Sequence, residues 1–367
     1  MYRLLIRIVL LWSIFGAIVG TGCWAAGNRS SGEEKKYQVI FSESYHNYLP
    51  GSLLRIGVVF KNSSSEAVKV SQELVVIDST GVIPWNTVIN MEISAKESVI
   101  VPLMVPVPKI PGAFSLTLTD ATGTTDDSVP SFEFLVIQPQ KSERLSKILV
   151  YTPDSEEGLN KFLKRWDIKA PELSWAQVLL LGKKNWTQYV KGDKAITLLV
   201  DRALKREMSV IFLDFGQEEV KEDSFTKILL PYEVSVSFIK AKGPEQSFVL
   251  KSGYKELTFG FTNSVLNPWN GYYGISVPAT DLRFEGKGAK IYAYATSGEN
   301  PFRFPLVELV PDNGKGKLYL CQIITDGRLD ESVTTARNHP EQPAYDPMAV
   351  QFLLNLISET VGDNLLK

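Results

Sequence analysis

The stretch VLLLGKKNWTQYVKGDKAITLLVDRALKREMSVIFLDFG, residues 178–216, decides the fold of the larger part of the chain. It opens with a continuous apolar run at 178–181, followed by Gly182, and has another near its end at 210–213, followed by Asp214. Residues 195–207 between them have the apolar spacing of an amphipathic helix. Strands that are apolar along their whole length and alternate with helices are typical of a parallel sheet covered on both faces.

The same pattern extends to both sides of this stretch. On the N-terminal side, residues 147–151 read as a further buried strand and residues 155–166 as an amphipathic helix. On the C-terminal side, residues 305–322 form a predicted hairpin, and Asp346, followed by a proline, caps a final helix. We therefore predict a flavodoxin-like α/β domain at residues 145–361, with a mostly parallel sheet.

A different pattern occupies residues 37–140. Apolar and polar positions alternate there with a period of two, and turn residues separate short segments. The clearest alternation puts four apolar side chains on one face of a strand: Leu54, Ile56, Val58 and Phe60. About seven such strands in roughly 100 residues, without a helical period, predict an immunoglobulin-like β-sandwich. The chain is thus expected to be an α+β multidomain protein.

The N-terminus has the parts of an export signal. Arg3 and Arg7 precede an apolar run at 8–19, and small residues follow it. This run is shorter than the roughly 20 residues that cross a bilayer as a helix, so we predict a signal peptide over residues 1–25, cleaved after Ala25. An uncleaved anchor remains the alternative.

Lipidation at Cys23 is a third alternative for the same segment. Thr21-Gly22-Cys23 is similar to the end of a bacterial lipoprotein signal, although Gly20 stands where that motif usually has Leu. Residues 26–36 are polar and read as a linker. The protein is expected to be exported: periplasmic, extracellular or held at a membrane through its N-terminus.

Residues 178–216 resemble the class I glutamine-amidotransferase-like domain of extracellular bacterial glycoside hydrolase family 2 and β-galactosidase-type proteins. The matching residues are the Leu181-Gly182 pair, Trp186, the helix at 198–204 and the turn that follows Phe212. Residues 37–140 resemble the immunoglobulin-like modules of the same enzymes. The resemblance implies the fold. It also implies a Cys nucleophile on a tight turn with a His partner. The matching turn here is Asp214-Phe-Gly-Gln217, which has no Cys, Ser or Thr to act as the nucleophile.

Composition excludes several function classes. With 39 Lys and Arg against 41 Asp and Glu, the chain lacks the basic excess that nucleic-acid binding needs. It has only two His and two Cys, and no cluster of them has the spacing of a metal site. We expect neither a metal nor a cofactor. Cys321 lies in an apolar strand and reads as a buried thiol, and His46 and His339 lie on predicted loops.

Two sets of residues are candidates for a site. Asp214, at the carboxyl end of a central strand, and Glu218 are the candidate catalytic carboxylates, with Glu219, Asp326 and Asp330 as possible neighbours. A second set stands in one loop and offers flat rings and an amide for a sugar face: Trp269, Asn270, Tyr272 and Tyr273.

Three functions fit these observations. The first is an exported, non-catalytic accessory or interaction protein related to ancillary domains of carbohydrate-active enzymes, able to bind polysaccharide or a cell-envelope protein. The second is a glycoside hydrolase that uses carboxylates of the α/β domain. The third is a cell-envelope scaffold or adhesion component that uses the sandwich.

Overall fold

The computed structural model describes residues 37–43, 46–119, 131–214, 232–240, 244, 246–261, 265–266, 269–277, 280–295, 303–311, 316–333 and 341–361. In this part of the chain the protein is rich in β-structure, with four α-helices and several sheets. The predicted signal segment, Cys23, Glu218, Glu219 and His339 lie outside the described residues.

The N-terminal part is a β-sandwich. Its first sheet is antiparallel and runs in the order β1 (Tyr37–Ser42), β3 (Leu53–Asn62), β6 (Ser98–Pro106). Its second sheet runs in the order β2 (Asn47–Tyr48), β8 (Phe132–Val136), β7 (Gly112–Thr119), β4 (Val68–Asp78), β5 (Trp85–Ile93). The alternation predicted from the sequence is confirmed in β3, where Leu54, Ile56, Val58 and Phe60 are all buried in the sandwich core.

The second part is built on one eight-stranded sheet. Its strands in chain order are β9 (Val150–Tyr151), β10 (Val178–Leu181), β11 (Ser209–Leu213), β13 (Phe248–Leu250), β14 (Val265–Leu266), β16 (Ala289–Ala295), β17 (Arg303–Leu309) and β18 (Lys317–Cys321). They lie in the order β14-β13-β16-β17-β18-β11-β10-β9. A separate antiparallel pair joins β12 (Val234–Lys240) and β15 (Thr280–Gly286).

This large sheet is mixed, which corrects the expectation of a mostly parallel one. Strands β9, β10, β11 and β18 are parallel, as the apolar runs indicated. From β18 outward, however, β17, β16, β13 and β14 pair antiparallel. Strands covered on both faces are apolar whichever way they run, so their composition does not reveal their direction.

Helices cover both faces of the parallel half. The α-helices are α1 (Glu157–Arg165), α2 (Lys183–Val190), α3 (Lys194–Lys205) and α4 (Pro347–Thr360). Apolar residues of α1 and α4 share one core cluster, and those of α2 and α3 share the other. The predicted cap of α4 is confirmed, because the Asp346 carboxylate accepts bonds from the N–H groups of Met348 (2.7 Å) and Ala349 (3.2 Å).

Helix α4 is buried on almost every side. Its apolar residues face the sheet, and even Gln351 and Asn355 are buried. Both amides are bonded: Asn355 donates to the carbonyls of Leu257 and Phe259, and Gln351 pairs with the backbone of Gln140. A helix enclosed in this way belongs to the core of its unit. Among the described residues, no helix has the length and apolar character needed to cross a membrane.

Candidate functional site

The loops that follow the parallel strands meet at one edge of the sheet, where ligands of open α/β sheets bind. Glu156 lies in the loop after β9, Gly182 directly follows β10, and Asp214 directly follows β11. The loop after β18 contributes Thr325 and Asp326. Three carboxylates therefore belong to this edge, which we call the carboxyl edge.

Asp214 is almost entirely buried, with 6% of its surface exposed. Its φ of 56° is in the left-handed region, which residues other than Gly rarely adopt. One carboxylate oxygen accepts from the N–H groups of Thr325 and Asp326 (3.3 Å for the latter), and the other accepts from the Thr325 hydroxyl at 2.8 Å. Both oxygens are thus held by the loop that follows β18.

Burial governs the protonation of Asp214. Loss of solvent raises the pKa of the carboxyl group from its ordinary value of 3.8 to about 7, and the charge of Asp326 acts in the same direction. The bonds from Thr325 favour the charged form and oppose the shift in pKa without cancelling it.

Glu156 was not singled out by the sequence. Its carboxylate accepts from the Asn185 amide and from the N–H of Gly182, the residue that precedes α2. A side chain on Gly182 would place its Cβ 2.6 Å from a Glu156 oxygen, so the Glu156 carboxylate would have to move away from this position. Partial burial raises the pKa of Glu156, and the charge of Asp326 raises it further.

Two polar atoms belonging to the segments around Glu156 lack a hydrogen-bond partner among the described residues. They are the hydroxyl oxygen of Thr152, which follows β9, and the amide oxygen of Asn185 in α2. Both side chains are buried. Such groups are uncommon in folded proteins, and a sequence read without its fold gives no signal for them.

Cys321 occupies the end of β18 and is fully buried, as the sequence predicted. Burial raises the pKa of its thiol strongly, and the nearby charge of Asp214 adds to the effect. The thiolate form that a nucleophile requires is therefore opposed at this position. His339, one of the two histidines of the chain, lies outside the described residues.

The aromatic loop divides into a buried and an accessible half. Trp269 is completely buried against Phe248 and Phe352, with ring centroids 5.6 and 5.8 Å away. Tyr272 is partly exposed, and Tyr273 is 42% exposed. Of the rings predicted to meet a sugar, these two tyrosines are the ones with a solvent-accessible surface.

Asn270 joins the two parts of the protein. Its side-chain oxygen accepts from the N–H groups of His46 (2.9 Å) and Asn47 (3.0 Å) of the sandwich. Its amide nitrogen donates to the carbonyls of Asn47 (2.7 Å) and Tyr345 (3.1 Å). Asp346 accepts from the Asn47 amide at 2.9 Å and from the Asn270 N–H at 2.5 Å.

Arg328 completes this arrangement, which we call the polar hub: Asn47, Asn270, Arg328 and Asp346. All four side chains are buried. The guanidinium donates to four backbone carbonyls and lies over the rings of Trp269 and Tyr272, at 5.4 and 5.2 Å. Its burial lowers its pKa to about 10, which leaves it charged at neutral pH. The hub holds the aromatic loop against the sandwich.

The remaining sequence candidates are placed as follows. Asp326 is exposed, whereas the Asp330 carboxylate bonds the backbone and hydroxyl of Ser332 in a local turn. The His46 ring stacks on Phe132 at 5.3 Å, and burial lowers its pKa. Among the described residues, no group of three or more His, Cys, Asp or Glu side chains could hold a metal ion.

Comparison with known proteins adds no family. No family model and no curated protein matches the chain. Similar solved structures include a β-glucosidase from Erythrobacter marinus (13% identity, 28% of this chain and 15% of that chain, TM-score 0.22) and one from Listeria innocua (18%, 30% and 17%, 0.23). Another is the CARDB domain of the PF1109 protein from Pyrococcus furiosus (19%, 32% and 100%, 0.23).

The chain spans less than a fifth of the length of these β-glucosidases. At such TM-scores the likenesses carry no argument about what this protein binds or does. None of these three structures is named as an amidotransferase, so the amidotransferase-like assignment stays a prediction.

Proposed function

We propose that this chain is an exported accessory or interaction protein whose carboxyl edge is structural. The observation that carries the proposal is the bonding of Asp214. Both of its oxygens are engaged by Thr325 and Asp326, and the side chain is buried. A carboxylate that attacks a substrate or activates water must present an oxygen to it.

We also propose that the second part is an amidotransferase-like α/β scaffold in which the nucleophile position has changed its role. Strained residues at the end of a central strand are a feature of catalytic turns in such folds. Asp214 has this strain, with a φ of 56°, but its carboxylate bonds the neighbouring loop. The parallel order β9-β10-β11-β18 and the helices on both faces support the assignment.

The polar hub supports an interaction role. It fixes the sandwich to the second part through buried, directional hydrogen bonds between Asn47, Asn270 and Asp346. A rigid junction lets two surfaces meet a partner in a constant relative orientation, which lowers the entropic cost of binding. Tyr272 and Tyr273 are the residues of the aromatic loop that offer a surface to carbohydrate, because Trp269 and Asn270 are buried.

A glycoside hydrolase is the second candidate, and one observation favours it. Asp214 and Glu156 both have a raised pKa, and the charge of Asp326 acts on both. Carboxylic acids whose pKa is raised toward neutrality are typical general acids of glycosidases.

A glycoside screen separates the two candidates. Residues 26–367, which include every helix and strand described, would be tested on a panel of chromogenic glycosides and on a glycan array. Asp214→Asn and Glu156→Gln would be compared with Asp330→Asn, a control carboxylate in a local turn. We expect no turnover by any of these proteins. Turnover that disappears in the first two variants and persists in the control would establish the hydrolase instead.

A further inference from the structure

The outward side of the first sandwich sheet carries an unusual set of residues. We call it the outer face. It consists of positions 38, 40 and 42 of β1, positions 53, 55, 57, 59 and 61 of β3, and positions 98, 100, 102, 104 and 106 of β6. The alternate positions of these strands face the sandwich core and are buried or half-buried.

Apolar side chains dominate the outer face. Leu53, Ile100 and Met104 are 50%, 60% and 66% exposed. The strand register places Ile40, Val59 and Ile100 side by side, so one apolar row crosses all three strands. Exposed apolar surface of this kind on a folded protein marks a contact with another apolar surface.

The charges on the outer face have one sign. Arg55 and Lys61 project from β3, and none of the outward positions of the three strands holds Asp or Glu. The whole chain has slightly more acidic than basic residues. Apolar side chains interspersed with cations and free of acids suit the interface of an anionic bilayer, where acyl chains and phosphate headgroups lie close together.

We propose that the outer face binds the surface of a bilayer that contains anionic lipid. The place where the described chain begins supports this occupant. Strand β1 starts at Tyr37 and belongs to the same sheet, and residues 23–36 would reach at most about 50 Å when fully extended. This last step rests on the proposed export and, within it, on the two alternatives to cleavage after Ala25, because only an uncleaved N-terminal segment or a lipid at Cys23 would keep the sandwich near a membrane.

A second copy of the chain suits the outer face less well. If the outer faces of two copies were packed together, Arg55 and Lys61 of one copy would lie near the same cations of the other. Addition of a strand to the outer edge of β6 would meet Pro102 and Pro106, which have no N–H group to donate. The bilayer avoids both problems.

Vesicle binding tests the proposal with residues 26–367, which lack the apolar N-terminal segment but contain every described helix and strand. We expect the protein to sediment with vesicles of phosphatidylglycerol and phosphatidylethanolamine, and far less with phosphatidylcholine alone. Ile100→Ser combined with Met104→Ser should reduce partitioning roughly tenfold. Arg55→Gln should reduce it roughly fivefold on the anionic vesicles.

Val88→Ser is the matched control, because Val88 is 58% exposed but belongs to the second sandwich sheet. It should bind vesicles as the unchanged protein does.

An environment-sensitive dye reports contact of one position with the bilayer, whatever fraction of a variant protein has failed to fold. Cys321 is buried, so the dye attaches selectively to Met104→Cys or Val88→Cys. Vesicles should shift the emission to the blue at position 104 and not at position 88.

Three results would overturn the proposal. They are absence of sedimentation with anionic vesicles, equal dye responses at positions 104 and 88, and a dimer in sedimentation velocity that Met104→Ser dissociates, which would assign the face to a second copy. None of these results bears on glycoside turnover, so the proposed function would stand or fall separately. Conversely, a chain found to remain in the cytoplasm would end the export proposal without changing vesicle binding.

Discussion

Replacement of Asp214 by Asn should make the protein more stable at neutral and alkaline pH. The side chain is buried, and its pKa is about 7 in the folded protein against an ordinary value of 3.8. Asn fits the same bonds: its oxygen can accept from the N–H groups of Thr325 and Asp326, and its amide can donate to the Thr325 hydroxyl, which can rotate to accept. The substitution therefore removes the ionisation and keeps the loop attached.

The sign and size of the effect follow from the two pKa values. Well below pH 4 Asp214 is protonated in both the folded and the unfolded protein, so wild type and variant should be about equally stable there. Between pH 4 and 7 the unfolded chain loses this proton while the folded protein keeps it, so the stability of wild type falls as pH rises. Above pH 7 the full difference is reached, about 4 kcal/mol in favour of Asp214→Asn.

Urea unfolding of residues 26–367 at a series of pH values from 4 to 9 measures this difference. Asp330→Asn is the contrasting control, because bonds from Ser332 lower the pKa of Asp330. Its substitution should cost stability, and the loss should stay constant between about pH 5 and 9, because Asp330 is ionised over this range in both the folded and the unfolded protein. Parallel pH profiles for wild type and Asp214→Asn would show that Asp214 is ionised without penalty, and our account of the carboxyl edge would be wrong.

Three further predictions concern the core and the junction. Asn270→Ala leaves buried N–H groups of the sandwich without an acceptor and should cost on the order of 2–6 kcal/mol, splitting one calorimetric transition into two; Tyr273→Ala in the same loop should leave a single transition. Leu353→Ala in α4 should cost about 2–5 kcal/mol in urea unfolding, whereas exposed Leu198→Ala should cost far less. Cys321 should resist a thiol reagent at pH 8 until denaturant unfolds the protein, and rapid labelling of the native state would contradict its burial.

The sequence predicts the local elements of this protein better than their long-range pairing. The alternation from Leu54 to Phe60 and the two apolar runs of residues 178–216 are patterns within single elements. The structure has the strands β3, β10 and β11 at these places. In the antiparallel half of the large sheet, the sequence predicts the β17–β18 hairpin, which the structure confirms, but not the pairing of the strands beyond it. The choice of neighbour for β16, β13 and β14 is made by packing across the whole sheet, which no single segment of the sequence reveals.

The carboxyl edge and the aromatic loop show the same limit. Asp214 was found because it ends an apolar strand, but Glu156 precedes a helix in a polar segment and is brought to Gly182 only by the fold. Trp269 was predicted from its polar neighbours to face solvent. Its burial depends on Phe352 and Arg328, which lie far away in the sequence.

The loop after β18 links the carboxyl edge to the junction with the sandwich. At one end of this loop, Thr325 and Asp326 donate hydrogen bonds to Asp214. Three residues after Thr325, Arg328 donates to the backbone carbonyl of Asn270. The side-chain oxygen of Asn270 in turn accepts from the N–H of Asn47 in the sandwich. A catalytic Asp214 would have to release the loop that holds the two parts together. As an anchor, it keeps that loop in place, and three hydrogen bonds offset part of the cost of the strain and burial at its position.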